Sequence, residues 1–327
     1  MQSWRALRSR QVWKRLLLVL FAFGLAICVT TYGVVAYYSS QVKRAPLLEQ
    51  STSPARQGES ALNLLVFGSD SDGRDLVGEE PTLDSIMLVH VDRRMGRATV
   101  IAIPRGAHVA VPREGAWNGD KTTLDRAVVL GGPTLVTRTV SELIGIRLDG
   151  AIVVDLNSVS HVVDAVGGIE ICLESAEALP DGSSRKKGCQ KLSGRQATTF
   201  MRARTLGQST DFDRINDQQR VLKALIDRAA SAGVLANPLR LKELLGATAL
   251  SLVVDEGLDL PRLALAMRSI RPGDVEFATV PVKRLDLPTP DGPAVELDPL
   301  LAPQLFASIR DDKVGDWLAR HRVDTPK

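Results

Sequence analysis

Between residues 200 and 220 the chain reads FMRARTLGQSTDFDRINDQQR, placing four arginines and three aspartates where an apolar helical pattern begins. On a helix advancing 100° per residue, Val221, Leu222, Leu225, Ile226 and Ala229 form one core-facing stripe, and Arg214 and Gln218 fall inside it. Asn216, Lys223 and Asp227 fall on the opposite face. A guanidinium aimed inward needs an anionic partner, because an unpaired buried charge is costly. That partner is either internal (Asp211 or Asp213) or a bound ligand. Arg202 and Arg204, two residues apart, point the same way if their segment is extended. Three guanidiniums and a glutamine then face one site, a grouping suited to phosphate, which a guanidinium grips with two parallel hydrogen bonds. A structural salt-bridge network is the alternative.

A second set of charges stands just beyond three apolar runs. Asp70, Asp72 and Arg74 follow LNLLVF (62–67), Asp84 precedes SIMLVHV (85–91), and Arg105 follows ATVIAIP (98–104). The turn through Asp92–Gly96 predicts a hairpin between the last two runs. If the first run lies antiparallel beside the second, all these charges meet at one sheet edge. Clustered carboxylates suit a hard cation such as Mg²⁺ or Mn²⁺, which takes oxygen ligands and keeps waters for substrate phosphates. Solvated loop charges are the alternative reading.

The elements that must position these groups are strands mixed with helices. AIVVDL (151–156), GIEICL (168–173) and VEFATVPV (275–282) read as further strands; 133–144, 158–166, 213–232, 238–246, 260–270 and 299–310 read as helices. Ser193-Gly-Arg-Gln196 has the form of a capping box opening a helix into Phe200. This order predicts a layered α/β domain. No internal repeat is visible, and no GxxxxGK[ST] occurs, which disfavours a P-loop nucleotide enzyme. Aromatic residues are only 4% of the chain and no basic stripe interleaves with them, so nucleic acid is not an expected partner.

Residues 1–15 carry Arg5, Arg8, Arg10, Lys14 and Arg15 and no acid; residues 16–38 carry no charge at all. As a helix that run spans about 34 Å, enough to cross roughly 30 Å of hydrocarbon. The basic flank predicts a single-pass anchor with a cytoplasmic N-terminus and everything after Tyr38 outside. Residues 39–60 read as a polar spacer. Beyond the anchor's Cys28, the exported part holds Cys172 and Cys189, which bracket a polar loop. In an oxidising compartment they can close it as a disulfide, two free thiols being the alternative.

The order GSDSDGR (68–74), DSIMLVHVD (84–92), IPRG (103–106), VDAVGGIEI (163–171), LSGRQATTFMRAR (192–204) and DFDRINDQQR (211–220) resembles the LytR-CpsA-Psr family, over about residues 62–232. The placing of Cys172 and Cys189 resembles actinobacterial members. The resemblance implies a three-layer α/β/α fold with a mixed sheet, outside the membrane of a bacterium, in a catalytic or binding domain of residues 61–232. Residues 233–327 are expected to complete it. It implies transfer of a glycopolymer from a polyprenyl (di)phosphate carrier to peptidoglycan, with Mg²⁺ and an apolar pocket for the lipid chain. Carried over by position, Asp70 and Asp84 stand around the metal, with Asp72 a further candidate ligand. Arg105, Arg202, Arg204, Arg214 and Gln218 stand around the head group, joined by Lys121 and, as a further candidate, Arg74. Asp84, Arg105, Arg202 and Arg204 are the candidate catalytic residues. Three positions depart from the family pattern: Thr82 replaces an arginine, Gly106 an aspartate, and Lys121-Thr122-Thr123 a Lys-Ile-Asn motif. A non-catalytic envelope protein that binds polyprenyl phosphate and a polyprenyl diphosphate phosphohydrolase are the competing functions.

Overall fold

The computed structural model describes residues 33, 37–49, 61–69, 83–178, 184–202, 211–235 and 237–321. Its centre is a seven-stranded mixed sheet. In chain order the strands of this sheet and their neighbours are β1 (Lys43–Ala45), β2 (Leu62–Ser69), β3 (Ser85–Val91), β4 (Ala98–Ile103), β5 (His108–Ala110) and β6 (Lys121–Thr123). Then come β7 (Gly150–Asp155), β8 (Ile169–Leu173), β9 (Glu177–Ala178), β10 (Ser184–Arg185), β11 (Gly188–Leu192), β12 (Leu252–Asp255), β13 (Val275–Thr279), β14 (Val282–Thr289) and β15 (Gly292–Leu297). The sheet order is β1-β12-β7-β2-β3-β4-β13. β2, β3 and β4 are antiparallel neighbours, whereas β2 runs parallel to β7 and β4 parallel to β13. Strands β12 and β13 therefore carry the chain's last third into the same sheet as β2.

Both faces of the sheet are covered, which is why β4 is buried at every position and reads as one apolar run. Leu65, Phe67, Ile86, Leu88, Ile101 and Ile103 point to one face, against α1 (Leu124–Ile144), α8 (Leu301–Arg310) and α9 (Val314–Arg320). The alternate residues Val66, Met87, Val89, Val100 and Ala102 point to the other face, against α4 (Asp211–Ala229). On that face also lie α2 (Val159–Ala165), α3 (Gly194–Arg202), α5 (Ala232–Leu235), α6 (Pro238–Ser251) and α7 (Leu260–Ala266).

The helix predicted from Pro133 starts earlier, at Leu124, but breaks at Gly131–Gly132, where Gly132 has φ 66°. Pro133 restarts it, as a ring with fixed φ and no N–H can do at a first helical turn. At α3 the glutamine half of the capping box forms: Gln196 Oε1 accepts from the Ser193 backbone N–H at 2.9 Å. The Gly194 N–H donates instead to Asp164 of α2, 2.7 Å away. Cys172 and Cys189 face each other across β8 and β11 and form a disulfide. Among the described residues no helix is long and apolar enough to cross a membrane. The predicted anchor lies outside the described residues except for Gly33, Tyr37 and Tyr38.

Candidate functional site

The sheet register brings four chain segments to one edge. Gly68 at the end of β2 pairs with Ser85 at the start of β3, Ile86 pairs with Ile103 at the end of β4, and Ser69 pairs with Asp155 at the end of β7. Asp84 is pinned there by its backbone N–H, which donates to the Gly68 carbonyl at 2.8 Å. Gly68 cannot carry a side chain without moving its neighbours: a Cβ would lie 2.2 Å from Ser85 Oγ and 3.1 Å from Leu156.

Asp84 Oδ1 accepts from Arg214 Nη1 at 3.0 Å and from Arg105 Nη1 at 3.4 Å. Arg105 also donates to the Leu83 carbonyl. All three side chains are partly exposed, between 17% and 28%. The arginine at the start of α4 thus meets the carboxylate at the start of β3, 130 residues apart in sequence. Arg202, at the C-terminal end of α3, donates to Asn157 Oδ1 just past the end of β7. Asn157 was not marked by any sequence pattern; its one signal is position, directly after a buried strand parallel to β2, where open α/β sheets place ligands.

Beside this edge lies an apolar cavity of about 470 Å³, between the sheet face and helices α2, α3, α4 and α6. Such a volume is in the range of small-molecule sites, roughly 300–1,000 Å³. The α4 stripe of Val221, Leu222, Leu225, Ile226 and Ala229 lines it. The stripe expected to face the core therefore faces largely a cavity, because α6 stands off from α4 where Leu244, Leu245 and Thr248 form the opposite wall. Gln218 lines the same cavity, is 5% exposed, and its Oε1 has no hydrogen-bond partner among the described residues. It sits one helical turn from Arg214, so the polar wall and the apolar chamber are continuous along one helix.

Lys121 is exposed on β6, and no hydrogen bond or ion pair joins it to Asp84, Arg105 or Arg214 among the described residues. Its neighbour Thr122 donates to Asp291, which also pairs with Arg126. Gly106 accepts from the Val295 N–H at 2.8 Å, tying the site's loop to the β14–β15 hairpin. Asp70, Asp72, Arg74, Thr82 and Arg204 lie outside the described residues. Where three carboxylates were expected to gather for a divalent cation, Asp84 is the one in view. Among the described residues both hydrogen bonds fall on Oδ1, so the Oδ2 side has the oxygen chemistry to fit a hard cation. Glu170, Cys172 and Cys189, among the described residues, also come close enough together to ligate a metal, but both sulfurs are consumed by the disulfide.

The described residues thus set arginines at the edge of a mixed α/β sheet with an apolar cavity beside them, chemistry suited to an anionic group joined to an apolar one. A model of the LytR_cpsA_psr family matches residues 29–292, and the chain belongs to that family. It is 35% identical over 236 residues to "Probable cell wall biosynthesis protein LcpB" of Corynebacterium glutamicum, covering 70% of this chain and 53% of that protein. It is 30% identical over 266 residues to "Cell wall biosynthesis protein LcpA" of the same organism, covering 70% and 51%. A third relative, "Polyisoprenyl-teichoic acid--peptidoglycan teichoic acid transferase TagV" of Bacillus subtilis, is 31% identical over 165 residues, 49% of this chain and 42% of that one. The chain thus spans about half the length of the curated relatives it matches. In fold it is similar to the "LytR-Csp2A-Psr enzyme from Actinomyces oris", with a TM-score of 0.61 and 20% identity over 82% of this chain and 96% of that one.

Proposed function

We propose that this protein is a membrane-anchored, extracytoplasmic phosphotransferase that moves a glycopolymer from a polyprenyl diphosphate carrier to peptidoglycan. The observation that carries the reading is the Asp84–Arg105–Arg214 cluster at the sheet edge, joined through Gln218 on α4 to an apolar cavity. The cavity would take the polyprenyl chain. Arg105, Arg202, Arg204 and Arg214 would bind the diphosphate and stabilise charge on the transferring and leaving phosphates. An acceptor hydroxyl attacks the phosphorus that bears the glycan. A phosphodiester forms, the P–O–P bond to the carrier phosphate breaks, and polyprenyl phosphate leaves with the electron pair. The hydroxyl proton passes to a carboxylate, Asp84 or Asp72. Asp84, Asp70 and Asp72 would hold Mg²⁺ or Mn²⁺, whose chemistry there is to neutralise phosphate charge. The cell-wall and transferase names of the relatives support the same class of reaction.

The test uses purified protein, a labelled lipid-diphosphate-linked glycan and peptidoglycan. Product that depends on Mg²⁺ and falls at least 100-fold in Arg214→Ala is the expected result. Equal product from wild type and variant sinks the transfer reading. Tight lipid-phosphate binding without product, in the presence of acceptor, would instead establish the binding-only function suggested by Thr82 and Gly106. Donor breakdown without acceptor would establish the phosphohydrolase.

A further inference from the structure

Behind the polar wall lies a buried ion cluster that no step above uses. Arg185, on β10 inside the loop closed by Cys172 and Cys189, is 8% exposed. Its Nη1 reaches Asp217 of α4 at 2.6 Å and Glu177 of β9 at 3.0 Å. Its Nη2 donates to the Phe200 carbonyl of α3 at 2.6 Å, and its guanidinium lies 3.9 Å from the centre of the Phe200 ring. Arg220 closes the ring of charges, at 3.3 Å from Asp217 and 3.4 Å from Glu177.

The partners of Arg185 are notable for their neighbours in sequence. Phe200 belongs to the last turn of α3, whose carbonyls have no helical partner. It is followed by Met201, which lines the cavity, and Arg202, which reaches Asn157. Asp217 is followed by Gln218, which lines the cavity, and preceded three residues earlier by Arg214, which holds Asp84. One side chain therefore grips both helices that carry the cationic wall, through residues that do not themselves line the cavity. A buried ion cluster adds little net stability, since desolvation offsets most of the attraction. What a planar guanidinium that donates from both terminal nitrogens and rests over a ring supplies is geometry.

We infer that Arg185 is a positioning residue for the head-group end of the cavity, locking α3 to α4 so that Arg202, Arg214 and Gln218 converge on one anionic group. This rests on the lipid-diphosphate reading above. It predicts that losing Arg185 impairs recognition of the charged head while sparing the apolar chamber.

The experiment compares binding of geranylgeranyl diphosphate and geranylgeraniol by the full chain in detergent, by calorimetry. Wild type is expected to prefer the diphosphate. Arg185→Met is expected to shrink that preference at least tenfold with alcohol affinity unchanged, and adding Asp217→Asn to shrink it little further, because the two act as one unit. Phe200→Leu, which removes only the ring beneath the guanidinium, is expected to give a smaller loss in the same direction and carries the test if Arg185→Met fails to fold. Folded variants that keep the full wild-type preference overturn the positioning role alone. A wild type with no preference for the diphosphate overturns the functional reading and this inference together.

Discussion

Asp84 accepts from both Arg214 and Arg105 through one oxygen, so a single carboxylate holds two guanidiniums side by side at the sheet edge. Under the proposed function, arriving phosphate oxygens would take over Arg105 and Arg214 while the carboxylate turned to a cation, an exchange between partners of similar strength. Asp217 is a different kind of acid. Burial pushes its carboxyl up to about 6, against the pull of Arg185 and Arg220. In the unfolded chain it titrates near the ordinary value of 3.8, so the folded protein holds this proton more tightly. The group's contribution to stability is therefore fully present below about pH 4 and lost as pH rises through about 6. Urea melts at pH 4, 5, 6 and 7 should show this segment of the profile in wild type and a flatter one in Asp217→Asn.

At the scale of elements, the site depends on how α3 and α4 are held. The disulfide joins β8 to β11 at paired positions, 17 apart in sequence, and closes a loop carrying β9, β10 and Arg185. In the unfolded chain the same bond removes loop freedom, worth about 3 kcal/mol for a loop of this length. The Cys172→Ser/Cys189→Ser protein is expected to lose about that much stability in urea, and reducing agent should bring wild type to the same value. A difference well below 1 kcal/mol would show that the β8–β11 hydrogen bonds already hold the loop.

The whole molecule divides its two sheet faces by task. The α1, α8 and α9 face is a solid core built on Phe67, Leu88, Leu135, Leu305 and Trp317. The α4 and α6 face is hollow, and the hollow reaches Gly68 and Ser85 at the strand ends, next to Asp84. A ligand occupying it at 100 times its Kd should stabilise the fold by about 2.7 kcal/mol. Ala229→Phe, projecting a ring into the chamber from the α4 wall, should abolish the rise in Tm that a polyprenyl phosphate gives, while leaving the unliganded protein folded. A full ligand-induced rise in that variant would place the lipid chain elsewhere.

The chain by itself determined much of the sheet and the sense of the site. Strands buried on both faces must be apolar along their length, so LNLLVF, SIMLVHV and ATVIAI stand out unaided, and the short turn at Asp92–Gly96 forces the antiparallel pairing that gathers Asp84 and Arg105. A 100° step per residue puts Arg214 and Gln218 on the apolar stripe of α4, whatever lies opposite. What lies opposite was decided only by tertiary structure. An apolar stripe has the same pattern whether it meets a packed core or the wall of a cavity, because the pattern records only the exclusion of water. Nor does any local period register Arg185, Asp217 or Asn157: their roles come from contacts across 32, 15 and 45 residues, set by how α3, α4 and the disulfide loop dock.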